Sequence, residues 1–388
     1  MARIIFIGTS YPYRGGLAAF NERFATEIQE GGNNVRIETF KLQYPDILFP
    51  GETQYTAGPP PEDLDIRRSI NSIWPLNWIR VARRIRKEKP DIVIFRYWLP
   101  FMAPCLGTMA RLIKKNGYTK VITLVDNVRP HERRPGDRIL TRYFLKPIDG
   151  FISMSESVLR DLKNFNVERP IVYSPHPVFD NFGSSVSREE ALEKLGLDER
   201  YRYILFFGLV REYKGLDIMI KAYARLRKEL SDFKIKLLVV GDFYVSRTPY
   251  DELIKHYGLE EDVIIHPHFV PNHEVAYWFC ASDIIAQPYK SATQSGVTQI
   301  GYHFHKPMLV TNVGGLAEII PHGRGGYVVN PVPEEVANSL VDFFKNKRYD
   351  EYVEGIKAEK KKFSWDKMVK NLFLLAEQIQ DKYSPGRK

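Results

Sequence analysis

Short runs of β-branched and aromatic residues alternate along the chain with helix-length stretches whose apolar positions recur every three to four residues. Runs with buried-strand character fall at Arg3–Gly8, Val35–Phe40, Asp91–Phe95, Lys120–Val125 and Gly150–Met154. Between the first two, Leu17–Gln29 sets Phe20, Phe24 and Ile28 on one helical face, and Gly31-Gly32 stops it. The alternation restarts with strands at Tyr203–Gly208, Lys236–Gly241, Val263–Ile265, Asp283–Gln287 and Pro307–Thr311, and with helices over Leu216–Glu229 and Val336–Lys345. Such alternation predicts parallel βαβ sheets, so the fold class is α/β: two Rossmann-like domains facing a central cleft. The turn-rich stretch Tyr173–Glu190 reads as the linker, giving domains over 1–178 and 179–388. The segment 365–383 is expected as a helix packing back on the first domain. One stretch fits neither period: Lys41–Ser69 is rich in Pro, Gly and polar residues and reads as a long connection of the functional or mobile kind.

Composition narrows the classes. With 388 residues, 44% hydrophobic and 27% charged, the chain is neither disordered, collagen-like nor a disulfide scaffold. Cys105 and Cys280 stand far apart with no CxxC partner, which argues against a bridge framework or a zinc site and fits a reducing cytoplasm. The apolar run before Gly8 is too short for a secretion signal or a membrane span. The net charge of +9 is uneven: residues 1–185 hold 27 Lys and Arg against 19 Asp and Glu, the remainder 29 against 28. That excess predicts an anionic partner for the first half. Within it, Ser72–Lys89 sets Trp74, Trp78, Ile79, Val81 and Ile85 beside Arg80, Arg83, Arg84, Arg86 and Lys87. Two readings stay open: a face for an anionic membrane surface, or an amphipathic helix packed on its sheet.

Four places carry candidate chemistry. Gly15-Gly16 lies between a strand and a helix start, where backbone amides suit a phosphate, although a tight turn there needs glycine anyway. Arg211 and Lys214, three apart before Gly215, follow a buried strand; two fixed cations there would stabilise a departing diphosphate, and a solvated basic turn is the alternative. In Thr293-Gln294-Ser295-Gly296 the turn opens a helix, so the amides of Gly296, Val297 and Thr298 would face an anion, with Ser295 donating a hydroxyl bond or acting only as an N-cap. Gly314-Gly315 with Glu318 reads as another strand-to-helix turn nearby. After Thr123–Val125, the residues Asp126, Asn127, His131 and Glu132 place polar groups at a strand end, and Asp126 or His131 is the candidate for a direct part in the reaction.

Together SYPYRGG, GLVREYKGLD, the Asp283–Pro288 strand with its QSGVT turn and KPMLVTNVGGLAEI resemble the group 1 (family 4) glycosyltransferases of GT-B fold, over nearly the whole chain. The resemblance implies a retaining transferase taking a hexose-type sugar from a nucleotide diphosphate sugar held mainly by the second domain. Arg211 and Lys214 match the basic pair on the diphosphate, and the loop before Gly296 matches the contacts to phosphate or sugar. The family's Glu-x7-Glu pattern is absent, so the likeness is to a branch with Gln294-Ser295-Gly296 in that place. Many relatives have His-Asp or His-Asn after the fourth strand; here Asp126, or with a one-residue shift Val125, stands where the His would be. Retention implies front-face attack, with Arg211, Lys214 and helix-end amides stabilising the leaving diphosphate and Asp126 orienting sugar or acceptor. No cofactor and no metal are expected. The acceptor would be a saccharide or lipid-linked molecule in cell-surface polysaccharide or glycolipid synthesis, and the location cytoplasmic or peripheral on the inner membrane face.

Two other classes make different demands. A nucleotide-sugar epimerase of the same fold would convert its donor with no acceptor present, but needs acid and base carboxylates of which these loops hold few. A basic nucleic-acid-binding protein predicts stacking aromatics along a groove and steep salt dependence, and leaves the glycine turns idle, so no nucleic-acid partner is expected.

Overall fold

The computed structural model describes residues 1–45, 53–56, 58–130 and 134–383. The chain divides into two compact units, Met1–Pro177 with Ser364–Lys388, and Val178–Phe363. The first contains β1 (Arg3–Ile7), α1 (Gly16–Glu30), β2 (Asn34–Leu42), β3 (Asp65–Asn71), α2 (Pro75–Glu88), β4 (Ile92–Tyr97), α3 (Ala103–Lys114), β5 (Lys120–Val125), α4 (Asp137–Leu145), β6 (Gly150–Ser153), α5 (Glu156–Asn164) and β7 (Ile171–Tyr173). Its strands form one sheet in the order β3-β2-β1-β4-β5-β6-β7, all pairs parallel. The central strands are apolar almost throughout because helices cover both faces, which is why they read as continuous hydrophobic runs.

The second unit contains α6 (Arg188–Leu195), β8 (Arg202–Phe207), α7 (Leu216–Glu229), β9 (Ile235–Val240), α8 (Thr248–His256), β10 (Val263–His266), α9 (Val275–Ala281), β11 (Ile284–Gln287), α10 (Gly296–His303), β12 (Met308–Thr311), β13 (Gly326–Val329), α11 (Pro333–Lys345) and α12 (Tyr349–Lys360). Its six strands run β10-β9-β8-β11-β12-β13, again all parallel. Each unit is thus a doubly wound α/β domain, and strand order reverses between β1 and β4 in one and between β8 and β11 in the other. At such a switch point the loops leaving the carboxyl ends diverge and open a crevice for ligands. The loops singled out from sequence at Gly15, Lys214 and Ser295 leave β1, β8 and β11.

The last helix, α13 (Trp365–Tyr383), belongs to the first unit. Met368, Leu372, Leu375, Ala376 and Ile379 are buried, and Trp365 packs at a tilt against Phe20 and stacks on Phe24 of α1, at 5.0 and 6.3 Å. Gly150 in β6 permits this: a Cβ there would stand 2.8 Å from both Leu375 Cδ1 and Ile379 Cδ1.

Three strands were not anticipated. β3 lies at the end of the stretch read as a connection; its Asp-Ile-Arg-Arg-Ser-Ile-Asn has apolar residues four apart, and only Ile70 is buried. β7 and β13 are equally marginal, three and four residues at the opposite edges of their sheets. Edge strands bury one side at most and so carry no run of apolar residues to read.

Candidate functional site

The β8 and β11 loops are locked to each other. After β8 the chain makes a short 3₁₀ turn over Glu212–Lys214 and enters α7 through Gly215, whose φ of 70° is left-handed. A Cβ on Gly215 would lie 2.0 Å from the Pro288 carbonyl oxygen, so only glycine lets the turn rest on the β11 loop. The Lys290 amide donates to the Tyr213 carbonyl at 2.7 Å, and its ammonium pairs with Asp217 at 2.9 Å.

Lys214 is held by this joint. Its Nζ stands 5.3 Å from the centroid of the Tyr289 ring, and only 3.3 Å from where a Cβ on Gly208 would sit. Val297 Cγ2, in the first turn of α10, lies 3.5 Å from that same point. Three chain segments, the end of β8, the turn before α7 and the start of α10, therefore meet around one ammonium group. Among the described residues Lys214 Nζ has no carboxylate within ion-pair distance. Burial lowers its pKa below the usual lysine value; the Tyr213 phenol pulls it up and the Arg211 guanidinium pushes it further down. Arg211, half-buried, lies with its guanidinium carbon 5.1 Å from the Tyr244 ring centroid.

Ser295 occupies the N-cap position of α10 with extended backbone, but its side chain caps nothing. Its hydroxyl lies 3.4 Å from the Tyr289 hydroxyl, and burial pushes that phenol up to about 12 against the bond from Ser295. Of the two readings of Ser295, the side-chain cap is not made, and among the described residues no side chain accepts from the amides of the first turn of α10. Thr298 is buried, its hydroxyl donating to Gln287 Oε1 at 3.1 Å. Gln294 is half-buried in the preceding loop.

The Gly314-Gly315 turn reaches the same loop, since a Cβ on Gly314 would stand 1.6 Å from the Ala292 carbonyl oxygen. The expected helix after it does not form: residues 312–320 are turns and Glu318 is exposed. Pro321 and the glycines at 323, 325 and 326 follow too closely for a helix to gain length.

The other candidates lie in the first unit. Gly15 is the N-cap of α1 with φ 100°, Gly16 its first residue, and no described atom falls within 4 Å of a Cβ built on either. Asp126 follows β5 and is buried; its two carboxylate oxygens accept from Arg96 Nε and Nη2, each at 2.5 Å. Arg96 also lies 4.1 Å over the Phe20 ring, against which the buried His176 packs edge-on at 4.9 Å. His131, together with Glu132, lies outside the described residues.

Sequence reasoning passed over Arg96, Tyr289, Gln287 and Gln299. Arg96 and Gln287 are polar residues ending otherwise apolar strands, a signal that was legible. Among the described residues, Gln287 Nε2 and both amide atoms of Gln299 are buried with no hydrogen-bond partner. Tyr289 carried no signal, since an aromatic residue beside proline reads as packing.

The sequence matches two family models: "Glycosyltransferase Family 4" over residues 14–181 and "Glycosyl transferases group 1" over residues 201–346. A D-inositol 3-phosphate glycosyltransferase of Paenarthrobacter aurescens is 29% identical over 356 residues, covering 85% of this chain and 84% of that protein. An uncharacterized glycosyltransferase of Methanocaldococcus jannaschii is 27% identical over 386 residues, 98% of this chain and 99% of that one. Among solved structures, sucrose-phosphate synthase from Thermosynechococcus elongatus superposes with a TM-score of 0.77 at 14% identity, covering 98% of this chain and 100% of that one. Anabaena HepE in complex with UDP-glucose superposes with a TM-score of 0.70 at 15% identity, covering 99% and 100%. With one model on each unit and two parallel-sheet α/β domains as in GT-B enzymes, this chain belongs to the group 1 glycosyltransferases.

Proposed function

We propose that the protein is a retaining hexosyltransferase that takes its sugar from a nucleotide diphosphate sugar and passes it to a saccharide or lipid-linked acceptor in the synthesis of a cell-surface polysaccharide or glycolipid. The observation that carries the donor half of this reading is Lys214. A largely buried ammonium with no counter-charge among the described residues, beside an uncapped helix start, is costly to keep unless an anion arrives to pair with it. A diphosphate supplies that charge, and the charge grows as the glycosyl bond loosens, so the same contacts favour the transition state over the bound donor. Arg211, Ser295 and the amides of Gly296, Val297 and Thr298 complete the anion site in this reading, with Gln294 and Glu318 toward the sugar or nucleotide; Gly15-Gly16, at the start of α1 in the first unit, stays a candidate for donor binding. Asp126, held by Arg96, acts as an orienting group. The sugar departs from the diphosphate and the acceptor hydroxyl enters on the same face, its proton passing to the leaving phosphate oxygen. The naming of UDP and UDP-glucose with Anabaena HepE supports a nucleotide sugar donor.

The test is a thermal-shift panel of UDP-, GDP- and ADP-sugars followed by product analysis. One nucleotide class should stabilise the fold, by about 2.7 kcal/mol at a hundred times its Kd. Transfer should then appear only with acceptor present and give a product of the donor's anomeric configuration. Conversion of the sugar without acceptor would instead favour the epimerase, which the glycosyltransferase relatives do not; an inverted product would remove the retaining assignment.

A further inference from the structure

The turn leading into α2 holds apolar side chains out into solvent on a rigid polar frame. Ile73, Trp74 and Leu76 are 49%, 57% and 69% exposed in consecutive positions broken only by Pro75. They are not loosely placed. The Asn71 amide donates to Asn77 Oδ1 at 2.7 Å, Asn77 Nδ2 donates to the Ser69 carbonyl at 3.0 Å, Trp78 Nε1 donates to the Asn71 carbonyl at 2.6 Å, and Ser72 Oγ donates to the Gln43 carbonyl at 2.7 Å. Each bond ties the tip to α2 or to the sheet edge.

The two faces of α2 answer the question left open by its sequence. Val81, Ala82 and Ile85 are buried in the core and Trp78 packs against it, so that apolar face is used by the sheet. The outer face carries Leu76, Arg80, Arg83 and Lys87, spaced to share one side of the helix and all exposed. Among the described residues Arg80, Arg83, Arg86, Lys87 and nearby Lys41 have no carboxylate partner, whereas Arg84 on the flank pairs with Glu38 at 2.6 Å. Lys41, Asn71, Trp74, Leu76, Asn77 and Arg80 also line a concavity of about 420 Å³ beside the tip.

We propose that this surface docks on an anionic phospholipid bilayer. Ile73, Trp74 and Leu76 enter the boundary between headgroups and acyl chains, where an amphipathic indole is most at home, and Arg80, Arg83, Lys87 and Lys41 meet lipid phosphates. Charge selects the occupant: a protein partner would be expected to meet a rigid apolar tip with an apolar pocket, whereas unpaired cations ringing such a tip match a surface that is apolar inside and anionic at its rim. The inference stands apart from the transfer reading, because none of these residues belongs to the proposed donor site.

The experiment is co-sedimentation of the full chain with vesicles of phosphatidylcholine alone and of phosphatidylcholine with phosphatidylglycerol, for the wild type and two variants, Trp74→Ser/Leu76→Ser and Arg80→Gln/Arg83→Gln/Lys87→Gln. All five positions are exposed, so unchanged melting and unchanged nucleotide binding are expected and certify the fold. The wild type should bind the anionic vesicles and lose binding as salt rises; the charge variant should bind about a hundredfold more weakly, and the tip variant at least about tenfold more weakly. Absence of binding, equal binding to neutral vesicles, or variants that bind like the wild type would overturn the proposal. So would a concentration-dependent dimer in sedimentation velocity that the tip variant abolishes, because a second copy of the chain would then be the occupant.

Discussion

Replacing Lys214 by methionine separates a ligand-binding cation from a structural one, because the two roles predict opposite signs for stability. The substitution keeps the aliphatic stem beside Tyr289 and Val297 and removes only the charge. An ammonium about 4 Å from a phosphate oxygen, at an effective dielectric of about 20, is worth about 4 kcal/mol. Loss of one such group from a developing charge costs roughly 100- to 1,000-fold in turnover. The fold should respond the other way. Burial lowers the folded-state pKa of Lys214, so below that value the charged group is a net cost to the native state. That cost is complete below the folded pKa and fades as pH rises from it toward the unfolded one, since the unfolded chain binds more protons across that window. Lys214→Met should therefore unfold at the same or a higher urea concentration than the wild type while losing nearly all transfer and most nucleotide diphosphate affinity. Turnover within tenfold of the wild type would refute the charge argument, and a clear loss of stability would make the lysine a structural residue.

Three further substitutions test the frame around the site. Gly215→Ala combines a left-handed backbone, about 1–2 kcal/mol, with a Cβ driven against Pro288, about 1–3 kcal/mol; urea unfolding should show the combined loss, and a change under about 0.5 kcal/mol would mean the two loops are not locked together. Asp126→Ala strands the Arg96 guanidinium and should cost about 3–5 kcal/mol, most of it recovered in the Arg96→Met/Asp126→Leu double variant; equal losses in both would point to packing instead. Glu22, on α1, accepts from Ser10 Oγ at 2.8 Å and from the Tyr11 amide at 2.7 Å, yet burial outweighs those bonds and raises its pKa. The folded state then binds more protons than the unfolded one just above pH 4.5, so this group's contribution to stability falls as pH rises through that window and levels off above the folded pKa. Glu22→Gln should remove that component from a plot of melting temperature against pH, and an unchanged slope would contradict the assignment.

What the sequence disclosed follows from how burial writes itself into residue choice. Strands covered on both faces must be apolar throughout, and the central ones of both sheets were readable for that reason. The switch-point loops were readable because a chain leaving such a strand and turning at once into a helix uses glycine, as at Gly15 and Gly215. Edge strand β3 was not, since with one side exposed its Arg-Arg-Ser is indistinguishable from a loop. The helix expected after Gly314 failed because the turn residues beyond it weigh more than the local pattern before it. Tyr289 and Gln299 were invisible because their significance lies in neighbours distant in sequence or in partners they lack, and no local pattern records either.

The two switch points carry the same kind of cation with opposite electrostatics. At the end of β4 in the first unit, Arg96 meets a carboxylate from the next strand, and the guanidinium, desolvated as it is, forms a closed pair with Asp126. At the end of β8 in the second unit the strand-end loop offers Lys214, and the facing β11 loop supplies a phenol ring and a helix start in place of a carboxylate. Asp217, at the start of α7, is taken by Lys290. A pair whose charges already cancel gains less from a bound anion than a lone cation does. An uncompensated ammonium gains the full interaction. The asymmetry supports the proposed placement of the donor's anionic end in the second unit, and it makes a reciprocal prediction. Moving the compensation, by Val297→Asp in the second unit, should abolish nucleotide diphosphate binding while raising the Lys214 pKa. Binding that survives a carboxylate at that position would place the diphosphate elsewhere.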